Sequence, residues 1–553
     1  MEKFFTVNKK FYLMVITLFL ITDLFLVIDK KASLMTLLLV ILIFLKQPTI
    51  KNNFNFFYLE KNFNTTLVFI YLLILTFLTQ NYLLNFEIID WDISSYLVAS
   101  NSIYDGFLPY EKQWESKGPI LFYIYGALIK LTSGNYIYFK LLNDVVLSLI
   151  AFILYLSVKT RSGNYLSIFS STLFILIFSQ PWALSGYSEI YCLIFIALSY
   201  LLDTKEISYK YYLIGFLMSV STLVNQGSIL FALPFVIKYL SKKNFYKFFQ
   251  FFIGSFIPYI FFITIFSIND LMDVFLTTYI TIPIEYTSAS YTNFYELRVF
   301  LRKYFEFNSY IYYLFISVVF VILFTVYKNK KNKFSDIWFD SLFILISLAF
   351  YFIGAHNYYH HLLFLLFFIS LFVQNFTKEL GIYLLTIFLI LSLSTSLFTL
   401  GKKSVEYLSN IENIYANYPI KKLAKEVDSY FDRDYEVFAL EYNLILHYLG
   451  KNNSSYIVHH TNFLEPYIMS ALEDIGYIEK DYIKFLLEKK PDVVICSEWM
   501  IVRGDPIKNP IVNCSNDIFD KSYVELDTEK YFIDNLNYYF DPYKKIKVFI
   551  KTN

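Results

Sequence analysis

Charged residues are scarce in this sequence. They make up only 17% of the 553 residues, whereas a soluble protein of this size carries about a quarter. The 47 lysines and arginines nearly balance the 46 aspartates and glutamates, which leaves a formal net charge of +1. This balance gives no basic surface for a polyanion, so the composition argues against nucleic acid as a partner.

Cysteine is also scarce. The three cysteines are Cys192, Cys496 and Cys514, and no Cys-x-x-Cys pair or Cys/His cluster has the spacing of metal ligands. The sequence therefore predicts no cofactor, and it leaves open whether a divalent metal assists. Cys496 and Cys514 both lie in the polar C-terminal region, where a disulfide between them and two free thiols are both consistent with the sequence.

Long apolar runs take the place of charge, since 57% of the residues are hydrophobic. Runs of this kind predict membrane-spanning helices, here about thirteen, and Pro119–Leu131 is interpreted as an interfacial helix. The predicted spans are Phe11–Ile28, Ser33–Leu45, Thr65–Leu84, Lys140–Val158, Tyr165–Phe178, Ile190–Leu202, Tyr211–Val224, Ser228–Leu240, Phe245–Ile268, Tyr310–Tyr327, Ser341–Gly354, His361–Val373 and Leu380–Leu400.

The distribution of lysine and arginine predicts the orientation in the membrane. These residues concentrate in alternate loops, at 159–161, 205–210, 238–247 and 328–333, and they are missing from the intervening loops at 181–188, 225–226 and 355–359. The positive-inside rule then places the N-terminus in the cytoplasm. Two long outer loops, 85–139 and 269–308, and the whole C-terminal tail lie on the extracytoplasmic side of the cell membrane.

The tail, residues 401–553, differs in pattern from the membrane region, residues 1–400. Short apolar runs predict strands, and amphipathic stretches between them predict helices. The fold class is therefore a polytopic α-helical membrane protein with a C-terminal extracytoplasmic α/β domain. The predicted tail strands are Tyr435–Leu440, Tyr456–Val458, Val493–Cys496 and Ile546–Ile550, and the predicted tail helices include Ile420–Phe431 and Asp481–Glu488.

Two carboxylates, Asp90 and Asp92, follow the span Thr65–Leu84 at the predicted membrane interface. Charge is costly near the bilayer, so carboxylates at this position indicate a functional site. Both could instead cap the helix whose interior begins near Ser94.

The first outer loop carries a pattern that resembles a known family, the polytopic GT-C glycosyltransferases that use polyprenyl-phosphate sugars. Their relatives include protein O-mannosyltransferases and aminoarabinose transferase, and their loop reads roughly Asp-Glu-x-x-Tyr, Gly-x-x-Pro-Tyr and Lys-Pro-Pro. The chain departs from this pattern at Ile93, where Glu is usual, and at Gly118, which replaces the first Pro. The residues that match are Asp92, Tyr96, Gly106, Pro109, Tyr110 and Lys117.

Weaker likenesses lie farther along the chain. Ser188-Glu189 opens a span after an outer loop, as a second acidic residue does in that family, and residues 358–362 resemble its late aromatic-His-Tyr segment. The resemblance implies Asp92 as the general base, with Asp90 as a substitute for the missing Glu and Glu189 as a second acid, and Tyr96, Tyr110, His360 and His361 as substrate contacts. The leaving lipid phosphate needs cations to stabilise it, and the available ones are Lys117 and the loop residues Arg298, Arg302 and Lys303.

Each of these residues also has a structural interpretation. Lys117 could be a lysine that extends its stem along the interface, and Glu189 could cap its span. Paired histidines beside tyrosines at an interface often have only a packing role.

The resemblance implies an inverting glycosyltransferase. A sugar would pass from a polyprenyl-phosphate donor in the outer leaflet to an extracytoplasmic hydroxyl of a protein, lipid or glycan. One alternative is a lipid-linked glycan flippase or transporter, although transporters carry charges within their spans and these spans are nearly free of charge. Another is a non-catalytic envelope protein whose tail binds a partner. The sugar and the acceptor are not specified by the sequence.

Overall fold

The structure is a computed structural model, and it describes the following residues: 64–87, 91–179, 183, 186–241, 244–288, 334–353, 359–375, 396–497, 501–502, 505–506, 522–531 and 546–552. The predicted spans Phe11–Ile28, Ser33–Leu45 and Tyr310–Tyr327, and most of Leu380–Leu400, lie outside these residues.

The described part of the membrane region is mainly helical, with a longer loop at residues 105–118. Its helices are α1 (Thr65–Gln80), α2 (Trp91–Tyr104), α3 (Pro119–Leu131), α4 (Tyr136–Ser162), α5 (Asn164–Phe178), α6 (Ser188–Asp203), α7 (Lys210–Thr222), α8 (Leu233–Ser241), α9 (Phe245–Ile268), α10 (Met272–Leu276), α11 (Ile282–Ser288), α12 (Phe334–Ile353), α13 (Leu363–Phe372) and α14 (Ser396–Ser409), with 3₁₀ turns at Gln226–Ala232 and Tyr359–Leu362.

Three of the described helices are long and apolar enough to cross a membrane: Thr65–Leu83, Tyr136–Ser162 and Phe245–Ile268. Shorter apolar helices of 10–17 residues, among them Pro119–Leu131 and Asn164–Phe178, pack between them. The protein is therefore a helical protein with candidate membrane spans, while the number thirteen stays a prediction.

Local chemistry explains where several of these helices begin and end. Asn64 and Asn135 lie just before α1 and α4, and their side chains accept hydrogen bonds from backbone N–H groups of the first turn, which is the usual role of an N-cap asparagine. Gly163, with φ of 83°, separates α4 from α5. A left-handed backbone of this kind favours glycine.

The tail contains a mixed sheet with the order β1–β2–β6–β5. Strand β1 (Val437–Ala439) is parallel to β2 (Val493–Ser497), and β6 (Ile546–Lys551) runs antiparallel to both β2 and β5 (Tyr523–Glu525). Short strands β3 (Ile501–Val502) and β4 (Asp505–Pro506) form a separate pair. Tail helices are α15 (Ile411–Ala416), α16 (Pro419–Asp428), α17 (Leu444–Leu449), α18 (Pro466–Asp474) and α19 (Tyr482–Glu488).

Three of the four predicted tail strands are confirmed, but the fourth is wrong. Residues Tyr456–Val458 do not join the sheet; Ile457 forms a single parallel bridge with Trp114, in the segment predicted as the first outer loop. Strand β5 was not predicted because its residues are partly or largely exposed and show no apolar run. Cys496 in β2 is disulfide-bonded, and Cys514 lies outside the described residues.

The tail docks on the membrane region through a buried carboxylate. Glu87, which follows α1, is fully buried and accepts hydrogen bonds from the backbone N–H groups of Ile420 (2.7 Å) and Lys421 (3.0 Å). These N–H groups belong to the first turn of α16, where the helix dipole favours a negative charge. The predicted boundary between residues 400 and 401 falls inside α14.

Candidate active site

Helix α2 places Asp92 and Tyr96 on the same face, as their four-residue spacing predicts. The Tyr96 hydroxyl donates a hydrogen bond to Asp92 Oδ2 over 3.3 Å. Tyr96 is fully buried, whereas the Asp92 side chain is 21% exposed and lines a cavity between the membrane region and the tail. Asp92 therefore faces the cavity, and Tyr96 holds it from behind.

A short pairing between the first outer loop and the tail forms one side of this cavity. The Trp114 N–H donates to Tyr456 O (2.6 Å), and the Val458 N–H donates to Trp114 O (3.1 Å). The Gln113 side chain donates to the carbonyls of Asn453 and Ser455. These bonds fix the tail segment that ends at Val458, and the next residue along the chain is a histidine.

That residue, His459, reaches Asp92 from the tail. His459 Nε2 lies 2.8 Å from Asp92 Oδ1, and the Thr461 N–H donates to His459 Nδ1 over 3.2 Å. Because Nδ1 accepts from a backbone N–H, the neutral ring carries its proton on Nε2 and donates it to Asp92. The histidine thus orients the carboxylate.

The charge of Asp92 follows from its surroundings. Burial raises the pKa of Asp92, but the hydrogen bond from His459, the electrostatic interactions with His459 and His360 and the charge of Lys117 lower it by more. Together they hold the pKa of this carboxyl well below its usual range. Asp92 is therefore an ionised, oriented acceptor at every pH near neutrality.

Lys117 brings a positive charge to the same cavity. Its backbone is fixed by the Tyr110 hydroxyl, which donates to Lys117 O over 2.5 Å, and by Glu115 Oε2, which accepts from the Lys117 N–H. Burial lowers the pKa of Lys117, but the carboxylates of Glu189, Asp92 and Glu115 raise it by more, so the pKa lies above its usual range. Lys117 therefore stays a cation.

The departure from the family pattern at Gly118 has a steric reason. The Gly118 N–H donates to Val224 O (3.1 Å), and a Cβ at this position would come within 2.2 Å of Leu223 O. A proline would lose the N–H and add atoms where none fit. Gly118 lets the loop pack against the end of α7, directly beside Lys117.

The departure at Ile93 also has a packing reason. Ile93 is buried, and a Cβ at Gly186 would meet its side chain at 2.7 Å. An acidic side chain at this position would be desolvated against the backbone. Glu115, which is buried and lines the cavity, adds a carboxylate that the sequence pattern did not indicate.

Glu189 lies in the first turn of α6 and is fully buried. The Asn225 amide donates to its Oε1 over 3.1 Å, and the Ser188 hydroxyl donates to its Oε2 over 3.1 Å. A capping side chain would accept hydrogen bonds from backbone N–H groups. The partners of Glu189 are side chains instead, so Glu189 belongs to a polar network. Its carboxylate also attracts the Lys117 ammonium.

The histidine pair of the membrane region lies between these acids, in the 3₁₀ turn before α13. His360 Nε2 is 3.8 Å from Asp92 Oδ2, and His361 Nε2 is 3.9 Å from Glu189 Oε1. The His360 ring stacks on Tyr187, with the ring centroids 4.6 Å apart. Both histidines are buried and line the cavity.

The cavity has a volume of about 220 Å³ and two kinds of wall. Its polar wall carries Asp92, Glu115 and Lys117, and its apolar wall includes Leu230 and Ile282. A cavity of this kind suits a ligand that has a charged or polar part joined to an apolar part.

The structure thus brings together five of the residues that the sequence indicated: Asp92, Lys117, Glu189, His360 and His361. Tyr96 and Tyr110 are buried behind Asp92 and Lys117, where they hold them in place. Asp90, Arg298, Arg302 and Lys303 lie outside the described residues.

His459 is the main functional candidate that sequence reasoning missed. The interpretation of residues 456–458 as a strand stopped one residue short of it. One signal was present: the chain has only six histidines, and four of them form two adjacent pairs, 360–361 and 459–460. One histidine of each pair, His360 and His459, lies within 4 Å of Asp92.

Comparisons with known proteins do not identify the chain: no protein-family model matches it, and no curated protein is significantly similar to it.

Proposed function

We propose that the protein is an integral-membrane glycosyltransferase that transfers a sugar from a polyprenyl-phosphate donor to an extracytoplasmic hydroxyl. The observation that carries the proposal is the pairing of an ionised, oriented carboxylate with a fixed cation in one cavity. Asp92 is held by His459 and Tyr96, and Lys117 is held beside it. The first outer loop resembles that of GT-C glycosyltransferases, and the pairing suits the reaction that these enzymes catalyse.

The reaction is a single displacement at C1 of the sugar, with inversion. The acceptor oxygen forms a bond to C1 while the bond from C1 to the phosphate oxygen breaks, and the electron pair of that bond passes to the phosphate. The hydroxyl proton passes to Asp92. Although Asp92 is a weak base, the hydroxyl becomes strongly acidic as its oxygen bonds to C1, so a carboxylate in place suffices.

Lys117 acts on the leaving group. A phosphate monoester leaves as an anion and gains charge as the bond to C1 breaks, and a fixed ammonium stabilises that charge. Leu230 and Ile282 on the apolar wall would contact the first isoprene units of the lipid. No proton needs to reach the leaving oxygen.

The test is turnover by the purified full-length protein in lipid nanodiscs. A panel of radiolabelled polyprenyl-phosphate sugars is supplied, and release of polyprenyl phosphate with loss of the sugar is measured. We expect one donor to be consumed. If every donor stays intact while labelled lipid crosses the membrane of proteoliposomes, the flippase alternative is correct.

The orientation has its own test, because the proposed site must face outside. A reporter that is active only outside the cytoplasm is fused after Gly401 and, separately, within residues 328–333. We expect activity from the first fusion alone. The reverse pattern would place the cavity on the cytoplasmic side and contradict the use of an outer-leaflet donor.

A further inference from the structure

Glu189, His360 and His361 form a compact cluster of metal-ligating side chains. One ligand atom from each residue can be chosen so that all three lie within 4.8 Å of one another, and all three residues are buried. The His361 Nε2 to Glu189 Oε1 distance of 3.9 Å is longer than a hydrogen bond. It is close to the spacing of two ligands that share an ion.

From this cluster we infer that the protein binds one divalent transition-metal ion through Glu189, His360 and His361, with Zn²⁺ the best fit. Two imidazoles and one carboxylate are a usual ligand set for a zinc ion that keeps an open position. Bonds of about 2.0–2.1 Å place tetrahedral ligand atoms about 3.3 Å apart. Small side-chain shifts bring the present spacing to this value.

Surrounding side chains already hold the ligands in position. The Asn225 amide and the Ser188 hydroxyl bind the Glu189 carboxylate, Tyr187 stacks on the His360 ring, and the Phe350 ring packs edge-on against His361 at 5.1 Å. Outer partners of this kind orient metal ligands and contribute to affinity.

The charge of the cavity also favours a cation. Among the described residues its wall carries three acidic side chains, Asp92, Glu115 and Glu465, and Glu189 lies beneath it. Among the described residues that line the cavity, Lys117 is the only lysine or arginine. This excess of formal negative charge would repel an anionic ligand, and a divalent ion at Glu189 offsets half or more of it.

The open position would face the cavity, because both histidines line it. An oxygen of a bound phosphate would occupy that position. The phosphate role rests on the proposed glycosyl transfer, whereas metal binding does not.

Metal binding is tested on the full-length protein in nanodiscs, stripped with chelator and then given Zn²⁺. Plasma mass spectrometry after gel filtration should find about one zinc per chain. Glu189→Gln and His361→Ala should each retain less than about a tenth of it. His447→Gln, in which the replaced tail histidine is equally buried but contacts Gly134 O, should retain all of it.

A second measurement needs no substitution and so does not depend on whether the variants fold. Co²⁺ added to the stripped protein should give the intense visible absorption of a tetrahedral ion, and Zn²⁺ should displace it. Cu²⁺ should show two imidazole nitrogens by pulsed electron paramagnetic resonance.

The inference is overturned if Co²⁺ shows only the weak spectrum of hydrated ion, or if folded Glu189→Gln and His361→Ala retain zinc. Zinc binding without glycosyl transfer would reject the proposed function and leave the metal site standing. Glycosyl transfer by a protein that binds no zinc would reject the metal site and support the proposed function.

Discussion

The two histidine pairs of the chain approach the same cavity from different regions, and they differ in how closely they approach the acids. In the membrane region, His360 and His361 stand 3.8 and 3.9 Å from Asp92 and Glu189. In the tail, His459 donates directly to Asp92 over 2.8 Å. The membrane-side pair therefore leaves space for a shared ligand, whereas the tail histidine orients a carboxylate.

The membrane region and the tail have different roles at the site. The membrane region supplies the groups that would touch the donor, Asp92 and Lys117. The tail supplies His459, which acts through Asp92, and it is fixed to the first outer loop by the bridge at Trp114. Changes in the membrane region should abolish the reaction, while changes in the tail should alter its rate or its pH dependence.

The largest effect is expected at Asp92. Asp92→Asn keeps the size of the side chain but removes the proton acceptor, so transfer should fall on the order of 10²-fold or more. Turnover of the donor is measured at equal membrane abundance. Asp105→Asn, an exposed carboxylate in the same outer loop, is the matched control and should be nearly neutral. Full activity of Asp92→Asn would show that Asp92 only caps the helix.

A smaller loss is expected at Lys117. Lys117→Ala removes the cation beside the leaving phosphate. Because a hydrogen bond to a charged group contributes about 1.5–3 kcal/mol, kcat/KM for the donor should fall roughly 10- to 10²-fold. Lys117→Arg should recover part of this loss because it restores the charge. Lys112→Ala, at an exposed position of the same loop, should change nothing. Normal kinetics for Lys117→Ala would mean that the lysine only covers apolar surface.

The tail histidine should have a more moderate effect with a distinct signature. His459→Ala removes one charge-assisted hydrogen bond from Asp92, which predicts about a tenfold loss at neutral pH. It also removes a cause of the lowered pKa of Asp92. The pKa of Asp92 should then rise, and activity should fall toward acidic pH.

A pH–rate profile measures this signature. The unmodified protein should show no such acid limb from Asp92, and His459→Gln, which retains a donor, should restore much of the rate. The control is His447→Ala in the tail, because His447 is bound to Gly134 O and lies away from Asp92. A uniform loss without a change in the profile would show that His459 serves stability alone.

The smallest effect concerns docking of the tail at Glu87. Burial raises the pKa of Glu87 to about 7, against the lowering effect of the Ile420 and Lys421 N–H groups and of Lys140. An acid whose pKa is higher in the folded state stabilises folding at low pH. That stability is lost as the pH rises from about 4.5 to about 7.

Thermal unfolding in detergent measures this dependence. Buried histidines with lowered pKa values, such as His447, also titrate in this range, so the effect of Glu87 is measured as the difference from Glu87→Gln, whose amide does not ionise. Between pH 5 and pH 8 the unmodified protein should lose about 1–3 kcal/mol of stability relative to the variant. An equal pH dependence of the two proteins would contradict a protonated Glu87 in the folded protein.

Local sequence pattern was sufficient for many of the described elements and for part of the site. Helix Pro119–Leu131 was predicted at its observed bounds, because Pro is favoured in the first helical turn and an apolar run follows. The pairing of Asp92 with Tyr96 follows from the helical repeat alone. Strands β2 and β6 were predicted nearly to the residue, because continuous apolar runs mark buried strands.

Only the tertiary structure decided which distant segments meet. No periodicity relates His459 to Asp92, 367 residues earlier in the chain; the pairing of Gln113 and Trp114 with residues 453–458 brings the two together. The same is true of Glu189 with His361 and of Gly118 against Leu223. Local pattern determines elements because neighbouring residues share a backbone repeat, whereas a site depends on packing between elements, to which sequence separation gives no guide.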